Sequence, residues 1–180
     1  MTGDTALLIV DVQVALVEAG PVEISEVLAK LSRLLEAARS RGLPVAHVQH
    51  ADPPGEELEP GTPGWELAPQ VRPIPGEPVF SKRFNSAFRQ TDLEAWLNDQ
   101  GIKTLVIAGM QTEHCIDATV KSAFEKGYRV VVPLGAHTTF ANGPFSGPDL
   151  RDFYENRIWK DRYAAIEPVE ALVSNWPTTD

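Results

Sequence analysis

The chain has 180 residues, 43% of them hydrophobic and 23% charged, which suits one domain with a sizeable core. Against 16 Lys and Arg stand 25 Asp and Glu, a net charge of −9 that argues against a nucleic-acid backbone or an anionic membrane surface as partner. One cysteine excludes an internal disulfide, and no window approaches the roughly 18 to 20 apolar residues of a membrane span.

The N-terminal stretch MTGDTALLIVDVQ has neither a basic leader nor a long apolar segment, so a cytoplasmic single domain over residues 1–180 is expected. Its first apolar run, ALLIV (6–10), reads as a strand. The segment EISEVLAKLSRLLEAARSRG then puts Val27, Leu28, Leu31, Leu34, Leu35 and Ala38 on one helical stripe, with Gly42 as a stop. A second strand, VAHVQ (45–49), leads into residues 50–78, rich in proline and glycine. Loops of that length inside a compact domain are usually functional or disordered, and Leu58, Trp65 and Leu67 could pin this one as an ordered lid.

A third short strand, PVF (78–80), precedes the helix TDLEAWLNDQG, with Thr91 expected as N-cap and Gly101 as stop. The fourth, TLVIAG (104–109), is followed by the helix TEHCIDATVKSAFEKG, which starts at Thr112 and puts Cys115 in its first turn. Strand RVVVPL (129–134), the loop GAHTTFANGPFSGPDL, the helix DLRDFYENRIW and strand AAIE (164–167) complete the pattern. Runs apolar at nearly every position suit strands covered on both faces. The expectation is a doubly wound α/β fold: six parallel strands in the order 3-2-1-4-5-6, with helices on both faces.

In that order strands 1 and 4 are neighbours, so Asp11 and Cys115 border one crevice at the carboxyl ends of the strands, and Lys82 follows strand 3 on the same edge. A lone cysteine is by default a small buried hydrophobe. Here it has aids a nucleophile needs: the unpaired N–H groups of a first helical turn, the charge of Lys82, and Asp11 to take its proton. His114, about 100° around the helix from Cys115, is poorly aimed at the sulfur and reads as a neighbouring or surface group.

The segments LLIVDVQ, SKRFNSAF and VIAGMQTEHCIDATVKSAFEKGYRVVV closely resemble the isochorismatase-like cysteine hydrolases, over nearly the whole chain. The resemblance implies a catalytic triad of Asp11, Lys82 and Cys115. It also implies a cis peptide between Met110 and Gln111, with the N–H groups of Gln111 and Cys115 turned toward an oxyanion, and attack of the thiolate on an amide or ureide carbonyl without a cofactor.

Relatives that cleave a vinyl ether lack the cysteine, which counts against that activity. Nicotinamidases carry a metal-binding D-x-H after strand 2, whereas this chain reads HVQHADPP. His47 and His50 would point to opposite faces of a strand, which disfavours joint ligation, so no metal site is expected and His47 reads as a core residue. What remains is the metal-free amidohydrolase branch, acting on N-carbamoyl compounds, biuret, ureidoacrylate or the lactam streptothricin. A nicotinamidase-like or isochorismatase-like hydrolase, a non-catalytic binding protein and a redox-sensing thiol are the alternatives. Pocket walls are expected from Gln13, Leu16, Trp65, Phe84, Asn85, His137 and Phe140, the aromatic rings suiting a planar or apolar substrate. Gly135 stands where relatives often have Asp, which leaves the local hydrogen bonding open. The family resemblance and the aromatic residues Trp159, Tyr163 and Trp176, expected to be exposed, together suggest a homo-oligomer.

Overall fold

The computed structural model describes residues 3–176. In chain order the elements are β1 (Thr5–Val10), α1 (Val14–Glu18), α2 (Ile24–Ser40), β2 (Val45–His50), β3 (Val79–Lys82), α3 (Leu93–Asp99), β4 (Thr104–Met110), α4 (Asp117–Glu125), β5 (Arg129–Pro133), β6 (His137–Thr138), α5 (Gly147–Phe153), β7 (Ala165–Glu167) and α6 (Val169–Asn175). A π-helical turn, Thr112–Ile116, opens α4, and a second, Tyr154–Trp159, extends α5.

Every strand pair in the sheet is parallel, in the order β3-β2-β1-β4-β5-β7. The expected order therefore holds, with the run at 164–167 in sixth place. The addition is β6, which lies beside β4 through the pairs Gly109↔His137 and Met110↔Thr138. Strand β5 pairs with β4 only from Thr104 to Val106, so the carboxyl half of β4 has ladder positions open, and the segment read as a loop fills them.

Strand β1 is buried along its whole length because each face meets a layer of helices. Leu7, Ile9, Val45, Val106 and Val131 join the core under α2 and α6, while Ala6, Leu8, Val10, Ala46, Leu105, Ile107, Val130 and Val132 join the core under α3 and α4. The stripe expected on α2 is buried as read, with Ala37 added. Helix α6, which the sequence reading passed over, covers its face with Val169 and Leu172.

Two expectations need correction. The residue before α3 is Asp92, which makes no side-chain cap bond; Thr91 donates its hydroxyl to the carbonyl of Ala87, at 2.5 Å, and accepts from Leu93 N–H at 3.4 Å. The turn that opens α4 starts at Thr112 as expected, after Gln111, and the Thr112 hydroxyl is bonded to His137. Trp159 and Trp176 are buried within the chain and Tyr163 is half-buried, so these rings offer no large exposed apolar face. Trp159 lies edge-on to His137, and its indole N–H donates to Asp117 at 2.9 Å.

Candidate active site

Three strand ends converge. Asp11 follows β1 with φ 52, a left-handed conformation more accessible to Asp than to most residues with a side chain. Lys82 is the last residue of β3 and pairs in register with His50, the last residue of β2. Gly109 near the end of β4 faces Val10 of β1, so the turn that carries Cys115 starts beside Asp11. That approach requires glycine: φ is 129, and a Cβ there would lie 2.1 Å from the Val10 carbonyl oxygen. The peptide between Met110 and Gln111 is cis, and Cys115 sits in the first turn after it.

The Lys82 ammonium is the hub of the cluster. Its Nζ lies 2.5 Å from Asp11 Oδ2, 3.1 Å from His50 Nδ1 and 3.2 Å from Cys115 Sγ, with both Lys82 and Asp11 buried. Asp11 Oδ1 is buried and has no hydrogen-bond donor among the described residues. Burial raises the Asp11 carboxyl above its usual range, against the pull of Lys82 and of the neighbouring Cys115 thiol.

Of the aids expected for the thiol, the base is present but the pKa is not lowered. Burial, and then the negative Asp11 beside it, push Cys115 up to about 12, and Lys82 offsets only part of this. In the free protein the sulfur therefore keeps its proton, next to a carboxylate able to receive it. The Asn85 amide oxygen stands 4.0 Å from the sulfur.

A cavity of about 340 Å³ opens over these groups, lined by Asp11, Leu16, His50, Asp52, Glu57, Leu58, Asn85, Met110, Gln111, His114 and Cys115. Leu16, Asn85 and Gln111 were expected there. The sequence reading placed His114 aside, yet the residue lines the rim, half-exposed. His50, Asp52, Glu57, Leu58 and Met110 were not foreseen. Asp52, Glu57 and Leu58 belong to the proline-rich loop, in which Leu58 and Leu67 are buried.

Other expected wall residues lie elsewhere. Gln13 is buried and acts as a tie: Nε2 donates to the carbonyls of His50, at 3.0 Å, and Trp65, at 2.9 Å, while Oε1 accepts from the His50 N–H at 2.9 Å. Trp65 is off the cavity wall, its carbonyl also accepting from Gln49 at 2.6 Å. Phe84 lies under the Arg89 guanidinium, 3.9 Å from the ring centroid, and Phe140 is half-buried after β6; neither lines the cavity.

His137 is fully buried, bonded to Thr112 at 2.8 Å and to Glu155 at 2.9 Å, and does not line the cavity. The same Glu155 oxygen accepts from Gly135 N–H at 2.8 Å, which settles the local bonding around that glycine. His47 is a core residue as read, 3.0 Å from Glu77.

Metal chemistry has one candidate donor set among the described residues: atoms of Asp11, His50 and Cys115 lie within 4.8 Å of one another. In this structure the Lys82 ammonium already lies within 3.2 Å of a donor atom of each.

The chain is 43% identical over 150 residues to a streptothricin hydrolase of Streptomyces noursei, a match covering 82% of this chain and 53% of that protein. It thus spans about half the length of that relative. A ureidoacrylate amidohydrolase of Methylobacterium radiotolerans is 29% identical over 180 residues, covering 79% of this chain and 69% of its own. Among solved structures, an isochorismatase from Pseudomonas putida superposes with a TM-score of 0.88 at 27% identity, covering 94% of this chain and 90% of the other. The sequence model of the isochorismatase domain matches residues 5–144, and with it the chain belongs to the isochorismatase family.

Proposed function

We propose that this protein is a cysteine hydrolase that cleaves a C–N bond of a small amide, ureide or lactam through a thioester on Cys115. The observation that carries this reading is the contact of the Lys82 ammonium with both Asp11 and Cys115, three groups from separate strand ends, of which Asp11 and Cys115 line one cavity. The names of the streptothricin hydrolase and the ureidoacrylate amidohydrolase support it.

In this reading the sulfur attacks the substrate carbonyl as its proton passes to Asp11, so a thiol with a pKa near 12 need not ionise beforehand. Lys82 balances the charge on whichever partner is negative. The N–H groups of Gln111 and Cys115 stabilise the oxyanion of the tetrahedral intermediate. Asp11 then returns the proton to the departing nitrogen, leaving the acyl group on sulfur. Water, deprotonated by Asp11, attacks the thioester and regenerates the thiol.

The lining adds a preference. Asp52 and Glu57 are on the wall, and no Lys or Arg joins them among the described lining residues. A substrate that must place its own carboxylate there meets like charge, so neutral and cationic amides suit the pocket better.

A panel of amides, ureides and lactams, scored by release of ammonia or amine, tests the reading, with Cys115→Ala as control. An acyl adduct on Cys115 in stopped mixtures, seen by intact mass, would support the thioester. Turnover by Cys115→Ala at the wild-type rate would exclude the reading.

The proposal extends to a cytosolic homo-oligomer. With the tryptophans buried, its structural support moves to Phe145 and Phe153, 57% and 50% exposed beside a groove of about 620 Å³. Light scattering across a dilution series should show multiples of the 19.7 kDa chain. A single-chain mass throughout would remove this part.

A further inference from the structure

A lysine ammonium has three protons and no acceptor. Around Lys82 three acceptors stand ready, and the triad supplies only two of them, Asp11 Oδ2 and Cys115 Sγ. The third is His50 Nδ1, at 3.1 Å. Because the ammonium can only donate, Nδ1 must be the bare ring nitrogen, which puts the imidazole proton on Nε2. That nitrogen lies 3.2 Å from Asp52 Oδ1, and the other Asp52 oxygen accepts from Leu58 N–H at 3.1 Å. Ring, tautomer and carboxylate are thus fixed in series.

The backbone of His50 is held as well. Gln13 bonds both its N–H and its carbonyl, and the β2–β3 register sets it opposite Lys82. Asp11, Lys82, Cys115 and Asp52 are the ionisable groups that contact it or its lysine, with Glu57 and His114 also on the cavity wall.

We propose that His50, oriented by Asp52, is a positioning residue that closes a three-acceptor cage around Lys82 and so holds the ammonium between Asp11 and Cys115. Its consequence for turnover rests on the cysteine-hydrolase reading; its consequence for the thiol does not.

The test is the rate at which iodoacetamide alkylates Cys115 at fixed pH, which needs no substrate. An ammonium no longer held at the sulfur favours the thiolate less, so His50→Leu should slow alkylation about tenfold, the factor that goes with one unit of thiol pKa. Asn places its amide oxygen near the position of Nδ1, whereas Gln places it near Nε2. His50→Asn should therefore restore alkylation to within about twofold of wild type and His50→Gln should not, as one hydrogen bond to a charged group separates them. In a Lys82→Met background His50→Leu should change nothing further, because the interaction it serves is already gone.

Wild-type alkylation in His50→Leu, equal rescue by Gln and Asn, or a tenfold drop that persists without Lys82 would each overturn the proposal. For variants that do not fold, ¹⁵N shifts of His50 in the wild-type protein decide: a neutral ring protonated on Nε2 supports it, and a proton on Nδ1 overturns it. If the cage holds but no amide is turned over, the hydrolase reading fails and the placement of His50 stands.

Discussion

At the scale of single residues, Asp11 and Lys82 act on the thiol with opposite signs. Lys82→Met removes the charge that draws the Cys115 pKa down, so alkylation at a given pH should slow further. Asp11→Asn removes the negative charge that pushes the pKa up, so alkylation should quicken. If Asp11 is the base of the proposed reaction, turnover should nevertheless fall by about 10² to 10⁴ in Asp11→Asn, the usual share of a general base. A thiol that becomes more reactive in an enzyme that becomes slower would separate proton acceptor from charge partner, and parallel losses in both assays would refute the division. The wild-type alkylation rate should climb from pH 7 to 10 without a plateau, since about 12 lies beyond that range. Asp11, Lys82 and Cys115 were legible in the sequence because each is a reactive group a few residues at most past the carboxyl end of an apolar run, Asp11 directly, Lys82 one residue on and Cys115 in the first turn of the helix that follows. The direction of the thiol shift was not, since it depends on how far the folded chain removes water from the sulfur. His50 escaped notice for a related reason: its importance lies in facing Lys82 across a strand pair, and residue spacing carries no such register.

At the scale of elements, the approach of β4 to β1 is the joint on which the site depends. Gly109→Ala would set a methyl group against the Val10 backbone, where no flexible side chain can yield, at a conformation L-residues rarely adopt. We expect a loss of about 3 to 4 kcal/mol, near the upper end for single substitutions, measured as a lower urea midpoint. An unchanged midpoint would show that the strands can separate there at little cost. Helix α2 was readable to the residue because its apolar stripe repeats over four turns. The start of the α4 segment at Thr112 was readable, but the partner of the Thr112 hydroxyl, His137, lies 25 positions away and left no local signal. The two-residue β6 carried no periodicity to detect; its place follows from β4 outrunning β5. In the proline-rich loop the prolines announce irregular backbone but do not say which side chains reach the cavity.

At the scale of the whole molecule, buried pairs give stability a defined pH dependence. His47 and His137 both have pKa values lowered from 6.5 by burial, so below about pH 6.5 the unfolded chain takes up protons that the folded chain refuses. Glu77 and Glu155, lowered from 4.5 by their hydrogen bonds, add stability above that value that is lost as pH falls through their folded pKa values. The urea midpoint should therefore drop from pH 7 to pH 5 and fall more steeply below it; a flat profile would contradict the buried neutral histidines. On the alkaline side the Cys115 thiol, raised from 9.0 to about 12, has the opposite sense, stability declining as pH rises above 9. The order of the sheet has its own consequence. Lys82 is carried by β3, a four-residue strand at the sheet edge with Val79 and Ser81 exposed, whereas Asp11 and Cys115 adjoin the fully buried β1 and β4. Edge segments of this kind open at lower free energy than central strands, so amide hydrogens of β3 should exchange well before those of β1 and β4. Fraying of those four residues would withdraw the ammonium while the core stays closed, and activity should disappear at a urea concentration below the one that unfolds the chain.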